Sequence, residues 1–380
     1  MWFTRQGTLH LADKLPQINW LLVLLLAAIS SVGFAMLYSA SNGNIDPWAS
    51  RQMVRFAIGV ILMIAVALTD IRYILRYAYV IYATALVLLL ATEVAGEIGM
   101  GAQRWIDVGF FQIQPSEIMK VALVLALARY FHGLTPEEIR RPTVLVLPLF
   151  LVLVPAGLVL RQPDLGTALI LVLVGALMCF LGGVRMWKFA LAFAAGVGAI
   201  PVAWQFLRDY QKRRVLTFLD PESDPLGSGY HILQSKIALG SGGLFGKGFL
   251  EGSQSHLNFL PEKQTDFIFT MLAEEFGMVG GMLVLGLYTL VLVYGLSIAL
   301  RCRHQFGRLL AMGITSSFFM SMFINVAMVM GVIPVVGAPL PLVSYGGSAM
   351  MTILIGFGLV MSAHVHRDIR IPRRSTILDI

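Results

Sequence analysis

The chain has 380 residues, is 57% hydrophobic and only 13% charged, and has a mean hydropathy of +0.79, whereas soluble domains carry about a quarter charged residues. A soluble globular fold is excluded, and the chain reads as an all-α integral membrane protein. Lys and Arg (28) exceed Asp and Glu (21), giving a formal charge of +7, which in a soluble chain would suggest a nucleic-acid partner.

Apolar stretches of about 20 residues, the length needed to span a bilayer, run from Trp20 to Tyr38, Met53 to Thr69 and Tyr73 to Thr92. Others run from Thr143 to Leu160, Leu165 to Gly182, Trp187 to Leu207, Gly277 to Ala299, Gly307 to Ile333 and Leu342 to Ala363. A tenth, Glu117 to Phe131, is short and opens with Glu117 and Lys120, so hydropathy ranks it lowest. It is counted because the charge asymmetry fails without it. The run after Lys14 is long enough to span and lacks a small-residue cleavage site, so it reads as an uncleaved first span. The expectation is one polytopic domain over 1–380 with about ten transmembrane helices.

With both ends inside, the cytoplasmic segments hold sixteen basic residues: Arg5, Lys14, Arg72, Arg76, Arg129, Arg140, Arg141, Arg185, Lys188, Arg301, Arg303, Arg308, Arg367, Arg370, Arg373 and Arg374. The short outer segments hold only Arg51, Arg55, Arg104 and Arg161. This is the positive-inside asymmetry of a membrane protein. The basic charge is a topological signal, and no nucleic-acid partner is expected. Cys179 and Cys302 are too few and too badly placed for a disulfide framework or a thiolate metal site.

Residues 208–266 read as one large extracytoplasmic loop between spans seven and eight, rich in Gly, Pro, Ser and charge. Long ordered loops usually carry function. Within it, Gly229 to Leu239 has apolar residues at helical spacing and could lie flat on the interface. The run Gly240-Ser241-Gly242-Gly243-Leu244-Phe245-Gly246-Lys247-Gly248 mimics a nucleotide loop but fails its test. Ser241 stands where Gly is required, and Gly248 replaces the Ser or Thr that binds magnesium.

Asp266 closes the loop with apolar residues immediately after it. A carboxylate at a membrane edge is partly desolvated, which raises its pKa toward the range of a general base; the bland alternative is that Asp266 caps the next helix. Glu117 and Lys120, three apart, share a helix face, either as a structural ion pair or as a polar wall for an anionic substrate. Gln114-Pro115-Ser116-Glu117 has the form of a helix start. Arg104 and Asp164 mark outer turns, Asp164 as a candidate helix cap. Arg51 reads as an interfacial anchor or a ligand. Arg213, Arg214, Lys236, Lys247 and Lys263 are cations that could meet diphosphate oxygens. Gly346-Gly347 would break the last span near its outer end.

Taken together, Gly101-Ala102-Gln103-Arg104-Trp105, Gln114-Pro115-Ser116-Glu117, Gln162-Pro163-Asp164-Leu165-Gly166-Thr167, Gly229 to Leu239, Phe259 to Phe269 and Pro341 to Ser348 resemble the shape, elongation, division and sporulation (SEDS) family of bacteria. The resemblance covers nearly the whole chain. Asp220 to Gly227 and Ile333 to Pro341 are similar to the elongation branch.

The resemblance implies a peptidoglycan glycosyltransferase of the inner membrane that polymerises lipid II for lateral cell-wall elongation. It implies as partners a class B penicillin-binding protein transpeptidase and other elongation-complex membrane proteins. It also implies that Asp266 is the catalytic carboxylate and that Glu117, Lys120, Asp164 and Arg51 line or support the substrate cavity. For the leaving diphosphate, Lys120 and Arg104 are the side-chain candidates. A divalent cation, Mg or Mn, could share that work as a Lewis acid; no organic cofactor is expected. The competing class is a lipid II flippase or another transporter of lipid-linked substrates, which should hold its site near the bilayer midplane; the charged features here cluster at the outer ends instead.

Overall fold

The computed structural model describes residues 14–95, 97–99, 102–107, 109, 112–206, 212, 216–220, 228–256 and 262–373. The helices used below are α1 Trp20–Ala40, α2 Ala49–Leu68, α3 Ile71–Ala95, α4 Pro115–His132, α5 Val146–Arg161, α6 Leu165–Leu181, α7 Met186–Phe206, α8 Ser228–Ser241, α9 Ile268–Arg301, α10 Gln305–Val329 and α11 Gly347–Val365. Seven stretches, α1, α2, α3, α9, α10, α11 and the run Pro142–Arg161 that contains α5, are long and apolar enough to cross a membrane. The expected ten is not reached by that measure; α6 and α7 fall among the shorter apolar helices, and α4 is not among the candidates.

The reason for α4 is physical. From Pro115 to His132 it is buried almost all round, with only Ile118, Val121, Arg129 and Tyr130 half exposed, and it packs on α3, α5, α6, α10 and α11. A helix with little lipid contact needs no lipid-facing apolar stripe. It therefore tolerates Glu117 and Lys120, which a helix facing hydrocarbon could not. Pro115 occupies the first turn and Gly133 ends the helix.

Three short antiparallel strands, β1 Glu97–Gly99, β2 Ala102–Asp107 and β3 Gln112–Ile113, form a sheet in the order β1-β2-β3. They were not expected in an all-α chain. Trp105 pairs with Glu97, and Ile106 with Ile113. The strands are too short for their alternation to stand out in the sequence.

Residues 330–346, between α10 and α11, form an irregular plug rather than an outer surface loop. Irregular backbone among membrane-spanning helices persists only where it is buried in protein or lines a cavity. Here Tyr288 of α9 donates its hydroxyl to Pro341 O. A Cβ on Gly166, at the start of α6, would stand 3.0 Å from Gly337 O and 3.1 Å from Val336 O, so glycine allows this close approach.

Helix α8 confirms the helical spacing read around Gly229 to Leu239. It docks on α9 through buried Ala238 and Ser235, whose hydroxyl lies 3.0 Å from Thr270 Oγ1 and donates to Val329 O at 2.8 Å. By contrast, Trp187, Phe193 and Ile200 of α7 are exposed, while near its start Phe189 meets Phe180 of α6 edge-on at 6.4 Å.

Candidate functional site

The walls of one narrow cavity come from α4, α6, α10, α11 and the plug. Its polar lining is Glu117, Lys120, Thr167, Ser321 and Ser344, and its plug wall runs from Ala338 to Leu342. A second narrow cavity shares Glu117, Lys120, Ser321 and Ile353 and continues between α4, α10 and α11 toward Phe318 and Phe357. The pair expected on α4 is formed: Lys120 Nζ lies 2.9 Å from Glu117 Oε2, and both residues are buried. In such surroundings a lone ammonium or carboxylate would be costly, so the pairing offsets part of the cost of burying both side chains.

Asp164 is the cap of α6. Its carboxylate accepts from Thr167 N at 3.0 Å, from Thr167 Oγ1 at 2.9 Å and from Gln114 Nε2 at 3.2 Å. The third bond ties α6 to the start of α4. The cap reading holds, and Asp164 supports the cavity through Thr167 and does not face into it.

Arg104 is also a tether. Its Nε donates to Gln162 O at 2.8 Å and its Nη2 to Pro163 O at 2.5 Å, so two donors expected at a diphosphate hold the turn before Asp164. Arg51 is exposed and absent from the cavity wall. It stands off the stripe Ala49, Gln52, Gly59, Met63 that α2 turns inward. One turn on, Arg55, not singled out in the sequence, lies over the Tyr345 ring at 5.1 Å.

Asp266 is half buried in the turn before α9. The cap position of α9 belongs to Phe267, with no side-chain cap bond, so the capping alternative for Asp266 finds no support. A Cβ on Gly337 would stand 3.5 Å from Asp266 Oδ2. The carboxylate therefore abuts the plug one residue before the cavity wall begins at Ala338. Lys263, in the same turn, is buried, and burial lowers its pKa from the ordinary lysine value. Arg213 and Arg214 lie outside the described residues. Lys236 is exposed, with its stem against Gly331.

The Gly-rich run has a role that its failed nucleotide signature did not suggest. Helix α9 breaks at Gly277, with φ 67° and ψ −165°, and the run replaces the lost helical bonds. Met278 N and Val279 N donate to Gly243 O and Leu244 O at 2.9 and 3.1 Å; Lys247 N and Gly248 N donate to Glu274 O and Glu275 O at 3.0 and 3.1 Å. Lys247 Nζ pairs with buried Glu274 at 2.8 Å, and Ser39 of α1 donates to buried Glu275 at 2.5 Å. Glu274 and Glu275 were missed in the sequence, although two carboxylates in an apolar helix are a signal.

Among the described residues, no group of three or more His, Cys, Asp or Glu side chains is arranged to hold a metal ion.

A family profile described as cell cycle protein, covering FtsW, RodA and SpoVE, matches residues 16–369. The chain is 45% identical to the peptidoglycan glycosyltransferase MrdB of Escherichia coli K12 over 91% of this chain and 93% of that one. A solved structure described as structural coordination of polymerization and crosslinking by a peptidoglycan synthase complex matches with a TM-score of 0.80 and 35% identity, over 92% of this chain and 98% of that one. The rod shape determining protein RodA of Thermus thermophilus matches with a TM-score of 0.69 and 32% identity, over 93% and 98%.

Proposed function

The chain belongs to the FtsW, RodA and SpoVE family of cell cycle proteins, and from that premise we propose how its cavity carries out glycan polymerisation. It is a peptidoglycan glycosyltransferase of a membrane-spanning fold. The substrate we assign is lipid II, whose sugars react while the polyprenyl tails stay in hydrocarbon.

Asp266 is the general base. It takes the proton of the acceptor GlcNAc 4-hydroxyl as that oxygen forms its bond to the MurNAc anomeric carbon of the donor. The bond from that carbon to the undecaprenyl diphosphate breaks, and its electron pair leaves with the diphosphate. The α-linkage of the donor becomes a β-1,4 link by a single inversion, the two-sided geometry that separates base from leaving group. Lys120, held in place by Glu117, supplies positive charge to the leaving diphosphate in a site sheltered from water. The single observation that carries the reading is that the Asp266 carboxylate abuts the same plug that walls the Glu117–Lys120 cavity.

The orientation follows the basic residues. Helices α4, α6 and α7 cross with the other seven, both termini are cytoplasmic, and 208–266 forms the extracytoplasmic loop beside a site at the outer face. A class B penicillin-binding protein is the crosslinking partner, with further elongation-complex membrane proteins beside it. Resemblance to a polymerisation and crosslinking complex supports this assignment.

The test is a glycan-polymer assay with labelled lipid II on the purified chain and its transpeptidase partner, beside an Asp266→Ala variant of equal melting temperature. A ladder from wild type alone is the expected result. Equal ladders from both proteins would remove Asp266 from the chemistry.

A further inference from the structure

Three consecutive carbonyl oxygens ahead of α9 are each met by a donor from elsewhere in the chain. Gln264 O accepts from Tyr345 N at 2.8 Å, Thr265 O from Ser344 Oγ at 2.6 Å and Asp266 O from Asn325 Nδ2 at 2.9 Å. The carbonyls of Thr265 and Asp266 belong to the two peptide planes that flank the Asp266 Cα. A peptide is planar, so fixing both planes fixes the two soft dihedrals of the residue between them. The direction of the Asp266 Cα–Cβ bond is thereby set from outside its own turn.

Both donors are built for this. Asn325 is fully buried, and its single amide nitrogen also donates to Ala338 O at 2.7 Å, which bridges the Asp266 turn to the cavity wall. The Ser344 hydroxyl is used in both directions, since it also accepts from Leu340 N at 2.7 Å. Ser344 is itself anchored, because its carbonyl accepts from the fully buried Gln52 of α2 at 3.0 Å. Helix formation needs none of these bonds, because the three carbonyls precede Phe267, whose oxygen accepts the first helical bond of α9 from Met271 N.

We propose that Asn325 and Ser344 are positioning residues that lock the peptide planes on either side of Asp266, so that its carboxylate meets the acceptor hydroxyl. The inference rests on the reading of Asp266 as the base. It implies that removing either donor slows the chemical step and leaves substrate binding in place.

The experiment is steady-state polymerisation of lipid II by the full chain with its transpeptidase partner, comparing wild type with Ser344→Ala, Ser344→Thr, Asn325→Ala and Asp266→Ala. Melting temperature is measured for each. A misplaced catalytic group costs up to about a hundredfold in rate, so Asn325→Ala should lose about that much in kcat and Ser344→Ala about tenfold, each with KM changed by less than about twofold. Ser344→Thr, which keeps the hydroxyl, should recover most of the loss. If Asp266→Ala is inactive while folded Ser344→Ala and Asn325→Ala keep wild-type kcat, or lose activity through KM alone, the positioning role is overturned and the base survives. If Asp266→Ala stays active, the base reading fails first. Should Asn325→Ala not fold, the Ser344→Ala and Ser344→Thr pair decides.

Discussion

Glu117 Oε2 lies 2.9 Å from Lys120 Nζ on one face of a helix enclosed by five others. Glu117→Ala leaves a buried ammonium without its partner, which costs about 3–5 kcal/mol. Replacing both partners with apolar side chains, Glu117→Leu with Lys120→Met, should return most of that stability and yield no polymer, because the cation is gone. Melting in detergent and the glycan assay together check this. A double variant that polymerises would show that Lys120 is structural only.

For Asp266→Asn the side-chain shape is kept and the proton acceptor is lost. Loss of a general base lowers the rate by about 10²–10⁴-fold. The melting temperature should hold, since the turn is tied through its carbonyl oxygens, which the substitution leaves in place. A rate near wild type would place the base elsewhere.

Asp164→Ala removes the cap of α6 and strands Thr167 N and the Gln114 amide. The expected cost is about 1–3 kcal/mol. Asp164→Asn should lose less, because asparagine caps helices nearly as well. Identical melting of the alanine variant and wild type would contradict the cap assignment.

Gly277→Ala should be among the most damaging single changes. A Cβ there would stand 2.3 Å from Gly246 N and 2.5 Å from Leu244 O, in a backbone with φ 67°. Strain at such a position costs about 1–3 kcal/mol before any clash is counted. Gly246→Ala, whose Cβ would meet Glu275 O at 2.1 Å, should behave alike. The measurement is thermal melting of both variants.

Acid should loosen the end of the bundle that holds His304. This residue sits between α9 and α10, its Nδ1 accepting from Gly307 N at 2.9 Å. Burial pushes its pKa down to about 4 from the ordinary 6.5; a hydrogen bond to the His366 backbone opposes the fall, and the charges of His132, His366 and Arg308 nearby add to it. The unfolded chain therefore takes up this proton first as pH falls. Stability is untouched above pH 6.5, declines between 6.5 and about 4, and is flat below, for a total on the order of 3 kcal/mol. His304→Asn, which can still cap Gly307, should flatten that decline in a melting-temperature series.

Much of this was legible from local pattern. Pro115, Gly133 and Asp164 are punctuation that acts within a few residues, and the Glu117–Lys120 pair lies on one helical face. The apolar runs located α1, α2, α3, α9, α10 and α11. What stayed hidden depends on contacts far apart in sequence. Asn325 meets Asp266 across 59 positions, and Gln52 meets Ser344 across 292; no window of neighbouring residues holds such a pair. Each was nonetheless a polar side chain in an apolar run, as were Glu274 and Glu275, and that mismatch is the only trace such contacts leave. Arg104 was found as a residue, but only the fold shows that its guanidinium reaches the carbonyls of Gln162 and Pro163.

The break at Gly277 also sets an order of assembly. The segment 243–248 is translated before α9, and α9 cannot complete its own backbone pairing without it. As the helix leaves the ribosome, the amides of Met278 and Val279 and the carbonyls of Glu274 and Glu275 must find a turn segment made some thirty residues earlier. Helix and turn segment therefore mature as one cooperative unit, and those two amides should gain protection from hydrogen exchange in the same step as Lys247 and Gly248.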